Sequence, residues 1–148
     1  MIIKPRIKGF VCITSHPTGC LENIREQANY AASQKISSNQ TPQRVLVIGS
    51  STGYGLASRI SAAFSCEADT LGVYFERPPT DERTASAGFY NSQAFCKLAR
   101  EQGHKAEDIN GDAFSNEIKD EVIAKAKEFG GQFDLVIDGA VTAIVLEI

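Results

Sequence analysis

The chain has 148 residues, 43% of them hydrophobic and 22% charged, and carries a formal net charge of −3. Such a length suits one domain with a real core, the composition is that of a soluble globular protein, and the lack of a basic face argues against a nucleic-acid partner. The apolar runs are too short for a membrane span or a secretory leader, so a cytoplasmic protein without stable membrane insertion is expected.

In chain order, residues 1–14 read as strand-like, broken by Pro5 and Gly9. His16 to Gly19 reads as a turn, where His16 either touches a substrate or closes the loop. From Leu21, the positions Leu21, Ile24, Ala28 and Ala31 make a helical stripe, and residues 33–43 form a polar connector. Residues 1–43 are therefore expected to be an N-terminal extension rather than a separate domain. Cys12, Cys20, Cys66 and Cys96 show no C-x-x-C spacing, and His16 and His104 are the only histidines. Reduced, buried cysteines and no metal site are expected.

Residues 44–137 read as a nucleotide-binding portion. Val45–Ile48 is a β-branched apolar strand that runs straight into Gly49, Ser50, Ser51, Thr52, Gly53, Tyr54 and Gly55. Leu56, Ile60 and Phe64 then fall on one helix face. A strand, a glycine-rich turn and a helix N-terminus are how a doubly wound α/β protein takes up a pyrophosphate. The G-x-x-x-G-x-G spacing is the variant used by short-chain dehydrogenase/reductase-like proteins. A second strand spans residues 70–75, and a helix from about Tyr90 carries Ala94, Phe95, Leu98 and Ala99. A third strand covers Lys105–Ile109, and Ser115 is the expected N-cap of a helix that buries Ile118, Val122, Ile123 and Ala126 up to Gly130. A fourth strand follows over Phe133–Ile137. The alternation predicts an α/β, Rossmann-like, doubly wound parallel sheet.

Glu76 follows the second strand, 21 residues after Gly55. A carboxylate there accepts from an adenosine ribose hydroxyl and repels a 2′-phosphate. This favours NADH, although the adjacent Arg77 would suit NADP. Asp112 and Ala113 follow the third strand. Either Asp112 accepts from the adenine amino group beside a small Ala113, or it supports the start of the Ser115 helix. Ser50, Ser51 and Thr52 offer hydroxyl and N–H groups near the phosphates, and Tyr54 lies beside the cofactor's path.

The runs Met1–Phe10, His16–Cys20, Gly49–Arg59, Ala68–Glu76, Gly88–Ser92 and Ile109–Ser115 together carry a resemblance. Over about residues 1–137 the chain resembles the N-terminal part of the FabV-type bacterial trans-2-enoyl-CoA/enoyl-ACP reductases. The resemblance implies an NADH-dependent reductase of fatty-acid biosynthesis, acting on the C2=C3 double bond of an enoyl-CoA or enoyl-ACP thioester. Hydride would go to Cβ, and donors aimed at the enolate oxygen would lower the barrier before protonation at Cα. The family's cofactor contacts fall on Gly49, Ser50, Ser51, Thr52, Gly53 and Tyr54, on Phe75 with Glu76, and on Asp112 with Ala113. Phe75 would pack on the adenine or ribose, or else end its strand inside the core.

The family's catalytic tyrosine and lysine are expected beyond residue 148, and Tyr90 is the last tyrosine here. The chain alone is thus expected to bind cofactor without turnover, with a sheet incomplete at the C-terminus. Residues 138–148 depart from the family: Asp138, Gly139, Ala140 and Val141 replace its usual Tyr-Ser-Leu-Ala segment. Asp-Gly between apolar runs signals a hairpin instead. An exposed fourth-strand edge is expected to favour self-association. Two readings compete with the reductase: a nucleotide-binding module without chemistry, and a short-chain reductase for another substrate.

Overall fold

Strand runs alternating with helical stripes leave the chain one economical solution, a parallel sheet with crossover helices on its faces. A computed structural model of the protein describes residues 4–12, 14–36 and 41–139, with the side chains of Val11 and Cys12 left aside. Its elements are β1 (Ile7–Lys8), β2 (Val11–Cys12), α1 (Pro17–Ser33), β3 (Arg44–Ile48), α2 (Gly53–Phe64), β4 (Asp69–Tyr74), α3 (Ala87–Glu101), β5 (Ala106–Asn110), α4 (Asn116–Glu128) and β6 (Leu135–Asp138). β1 and β2 form a small antiparallel pair, joined through Gly9 at a φ of 63°.

The main sheet has the order β5-β4-β3-β6. Every pairing in it is parallel: Leu46 lies opposite Leu71 on one side and Val136 on the other, and Thr70 opposite Ala106. This is the expected Rossmann-like arrangement. The chain turns outward from β3 through β4 to β5, then returns through α4 to place β6 on the other flank of β3. The order therefore reverses between β3 and β6, which makes a crevice at their carboxyl ends.

Side chains alternate across the sheet. Val45 and Val47 face α2 with Ala62, while Leu46 joins Leu71, Val73, Ile109 and Phe129 on the opposite face. On the first face α1, α2 and α3 interlock through Ile24, Ala28, Leu56, Ile60, Phe64, Phe95 and Ala99. Phe64 and Phe95 meet edge to face with centroids 5.8 Å apart. The N-terminal helix α1 is thus part of the core.

Several boundaries and burials differ from the sequence reading. Helix α1 starts at Pro17, because the His16 ring accepts from the Thr18 N–H (3.2 Å) and Pro17 fits the first helical position. His16 thereby closes the loop. Helix α3 starts at Ala87, before Tyr90. Helix α4 buries none of its residues, against the expected four. Ile118 and Val122, a turn apart, half-bury against the Leu46–Leu71 cluster, but Ile123 lies 100° further round and is 57% exposed. Cys96 is buried, whereas Cys20 in the first turn of α1 and Cys66 just past α2 are half-buried; all three are free thiols. Asp138 closes β6 opposite Ile48, and Gly139 N–H donates to the Ile48 carbonyl (2.8 Å). The expected hairpin partner, with Ala140 and Val141, lies outside the described residues. Among the described residues, no helix is long and apolar enough to cross a membrane.

Candidate nucleotide-binding site

Gly49 leaves β3 at a φ of 75°, where a side chain would be strained. The N–H groups of Gly49 and Ser50 both donate to the Val73 carbonyl, at 2.8 and 3.1 Å. The turn is therefore laid over the end of β4. Ser50 is fully buried and its hydroxyl donates to the same Val73 carbonyl (3.3 Å). The Ser51 hydroxyl donates to Glu76 (2.8 Å), and the Asn91 amide donates to the Ser51 carbonyl (3.3 Å). Both serine hydroxyls thus turn inward, contrary to the expectation that they face the phosphates. Their partners come from β4 and its following loop, and burial leaves them no alternative.

The two later glycines act differently. A Cβ on Gly55 would overlap the Gly49 carbonyl, so its absence lets α2 pack directly on the turn. Gly53 has a φ of 56° and open space where a Cβ would be. It exposes backbone to an incoming group. The first helical bond of α2 runs from Leu56 N–H to Thr52 C=O (3.2 Å), which leaves the earlier N–H groups without a partner inside the helix. Thr52 makes no side-chain cap, and the first turn of α2 holds no acid. The positive end of the helix dipole is thus presented at the β3/β6 crevice, as an anion needs. This combination fits a dinucleotide pyrophosphate.

Tyr54 is 93% exposed beside this opening, and Phe75 is 79% exposed one residue past β4. Phe75 is therefore a surface ring, not a core strand end. Glu76 next to it is half-buried, its carboxylate held by Ser51 in a position that a side chain at Gly88 would displace. Asp112 forms an Asx turn: Oδ1 accepts from Phe114 N–H (2.9 Å) and its carbonyl from Ser115 N–H (3.0 Å). Asp112 thus supports the start of α4, capped as expected by Ser115 Oγ on Ile118 N–H (3.2 Å). Ala113 packs against the core. The sequence-selected residues gather at the carboxyl ends of β3, β4 and β5, along one rim of the sheet.

Two supporting residues escaped the sequence reading. Arg59 is fully buried under β4. It ion-pairs with Asp108, donates to Thr70 Oγ1 (3.2 Å) and the Glu107 carbonyl (2.7 Å), and lies 4.3 Å from the Phe95 ring centroid. Burial pushes the neighbouring Tyr74 hydroxyl and Cys96 thiol each up to about 12, so both stay protonated. The available signal was position: Arg59 is three residues from Leu56 and so shares its buried face. Asn110 is the other, its carboxamide bonded to both backbone groups of Glu76.

The parallel sheet with a glycine turn at its reversal defines a Rossmann-like dinucleotide-binding fold. The chain belongs to the trans-2-enoyl-CoA reductase family: residues 2–81 match the family's NAD(P)H binding domain and residues 83–143 its catalytic region. It is 56% identical over 137 residues to an enoyl-acyl-carrier-protein reductase (NADH) of Yersinia pestis, covering 93% of this chain and 34% of that protein. The chain thus spans about a third of the length of the curated relatives it matches. It is similar to the trans-2-enoyl-CoA reductase of Treponema denticola solved with NAD, at 42% identity and a TM-score of 0.84 over 92% of this chain and 35% of that one. The trans-2-enoyl-CoA reductase of Clostridium acetobutulicum solved with NADH gives 38% identity and a TM-score of 0.86 over 96% and 35%.

Proposed function

We propose that this chain holds NADH and forms the cofactor-binding portion of an NADH-dependent trans-2-enoyl-thioester reductase of fatty-acid biosynthesis. The observation that carries this reading is the open, uncapped N-terminus of α2 at the β3/β6 crevice, with Glu76 at the end of the neighbouring strand. Gly49, Ser50 and Ser51 set the turn, Thr52, Gly53 and Tyr54 present backbone to the pyrophosphate, and Glu76 reads the adenosine ribose. Phe75, Asp112 and Ala113 flank the adenine. Bound NADH would supply the hydride for the C2=C3 bond of an enoyl-CoA or enoyl-ACP. Residues 44–137 are the nucleotide-holding portion in this reading, residues 1–43 its extension, and residues 138–148 an atypical segment after it. A cytoplasmic setting and self-association through the β6 edge, where Val136 is 56% exposed, accompany it.

Fluorescence titration of the chain with NADH tests the reading. Gly53→Val forces a branched side chain into a left-handed backbone and fills the approach, so affinity should fall by about tenfold or more. Unchanged affinity rejects the glycine-turn assignment. Glu76→Ala should improve NADPH relative to NADH, and an unmoved preference removes Glu76 from the ribose. Turnover of crotonyl-CoA by the full-length protein decides the activity.

A further inference from the structure

Glu76 lies two residues past the end of β4, where a loop residue would ordinarily be free to shift. Its backbone is nevertheless held on both sides. Glu76 N–H donates to Asn110 Oδ1 (2.9 Å), and Asn110 Nδ2 donates back to the Glu76 carbonyl (3.0 Å). One step earlier in the ladder, Gly111 N–H donates to the Tyr74 carbonyl (2.8 Å). The Asn110 carboxamide thus stands in for one more peptide group of β5 and extends the parallel ladder past the last paired residues. Only a carboxamide offers a donor and an acceptor in one plane at this reach; a carboxylate lacks the donor and a hydroxyl lacks the span. Beyond the backbone, Ser51 Oγ holds the Glu76 carboxylate at 2.8 Å, and a side chain at Gly88 would displace it.

The geometry points to Asn110 as a positioning residue for cofactor choice: it fixes Glu76 so that its carboxylate favours a ribose hydroxyl over a 2′-phosphate. This rests on the NADH reading above. Discrimination needs a carboxylate that cannot swing away, because its hydrogen bond to a ribose hydroxyl is lost once distance or angle departs from a narrow range, and its repulsion of a 2′-phosphate weakens as it retreats. Asn110 also heads the loop that carries Asp112 and Ala113. The residues assigned to the ribose and those assigned to the adenine are therefore joined by one side chain.

Dissociation constants for NADH and NADPH, measured by fluorescence titration on this chain, test the role. In Asn110→Ala the preference for NADH over NADPH should fall by about five- to tenfold, the size expected for losing the hold of one or two hydrogen bonds. Asn110→Ser carries the same test if the alanine variant does not fold. Adding Asn110→Ala to Glu76→Gln should leave the ratio where Glu76→Gln alone puts it, since the residue acts through that carboxylate. A merely structural role weakens both cofactors by the same factor, and an unchanged ratio overturns the inference alone. So does a ratio shift that persists with Glu76→Gln. No NADH binding by the parent chain overturns the cofactor reading, and this inference with it.

Discussion

Helices α2 and α4 follow β3 and β5, two strands of the same sheet with β4 between them, yet they are held in opposite ways. Helix α2 buries Gly55, Leu56, Arg59, Ile60, Ala62, Ala63 and Phe64, and its N-terminus has neither a side-chain cap nor an acid. Helix α4 buries none of its residues, but Ser115 caps it, Glu117 lies in its first turn, and Lys125 and Lys127 lie in its last. The second helix draws on local devices, namely a cap and charges that complement its dipole. The first draws on packing, which leaves its N–H groups unspent. An acid or a side-chain cap at that end would compete with a bound phosphate, so the bare N-terminus of α2 is what the proposed pyrophosphate site requires. Under that proposal the difference between the two helices is a division between binding and support.

The strongest way to break the comparison is at Arg59. Arg59→Ala should cost about 3–5 kcal/mol, because Asp108 and the Glu107 carbonyl lose a buried guanidinium partner. Urea unfolding followed by circular dichroism reads this directly. A loss below about 1 kcal/mol would mean that apolar packing alone anchors α2. At the other helix, Ser115→Ala should cost about 1 kcal/mol by loss of the bond to Ile118 N–H. Its NADH affinity should stay unchanged in the same titration; a matching loss of affinity would tie α4 to the site.

The same contrast explains what could be read from the sequence. The β3–turn–α2 unit was legible because its constraints are local: a β-branched run, glycines at fixed spacing, and an apolar stripe with period 3.6. Arg59 was not, because a hydrophobic pattern counts arginine as solvent-facing, and the partners that bury it lie 11 to 49 residues away. The sequence points the Ser50 and Ser51 hydroxyls at the phosphates because their inward acceptors, Val73 and Glu76, are brought near only by the parallel register. Asp112 had two local readings of equal chemistry, and only the Asx turn at Phe114 shows which its side chain adopts here. None of the four apolar residues expected inside α4 is buried: Ile118, Val122 and Ala126 lie within about 80° of one another and half-bury, while Ile123 lies past them and is 57% exposed.

Giving α2 the cap that α4 possesses sharpens the comparison. Thr52→Asp places a carboxylate at the uncapped N-terminus and should stabilise the chain by about 0.5–1 kcal/mol. The same carboxylate should weaken NADH, since it occupies and repels where the pyrophosphate is proposed to bind. A rise in stability with undiminished NADH affinity would move the phosphate elsewhere.

The smallest expected effect concerns the charge pair that ties α4 to β5. Lys125 lies 2.7 Å from Glu107 and 3.1 Å from Glu128. The hydrogen bond from Lys125 holds the Glu107 carboxyl below its ordinary range, and the two glutamates raise Lys125 above its own. Glu107 binds fewer protons folded than unfolded as the pH approaches its ordinary 4.5 from above. Its contribution is therefore complete above that value and is lost as the pH falls through the lowered one. Lys125 behaves in the mirror sense: its contribution is complete below 10.5 and is lost as the pH rises through the raised value. Lys125→Met should therefore lower the melting temperature slightly at pH 7, and the gap to the parent chain should close in strong acid. Thermal melts from pH 7 downward measure it: the gap should begin to narrow as the pH falls below 4.5. A gap that persists in acid would assign the effect of Lys125 to the packing of its stem between α4 and β5 rather than to its charge.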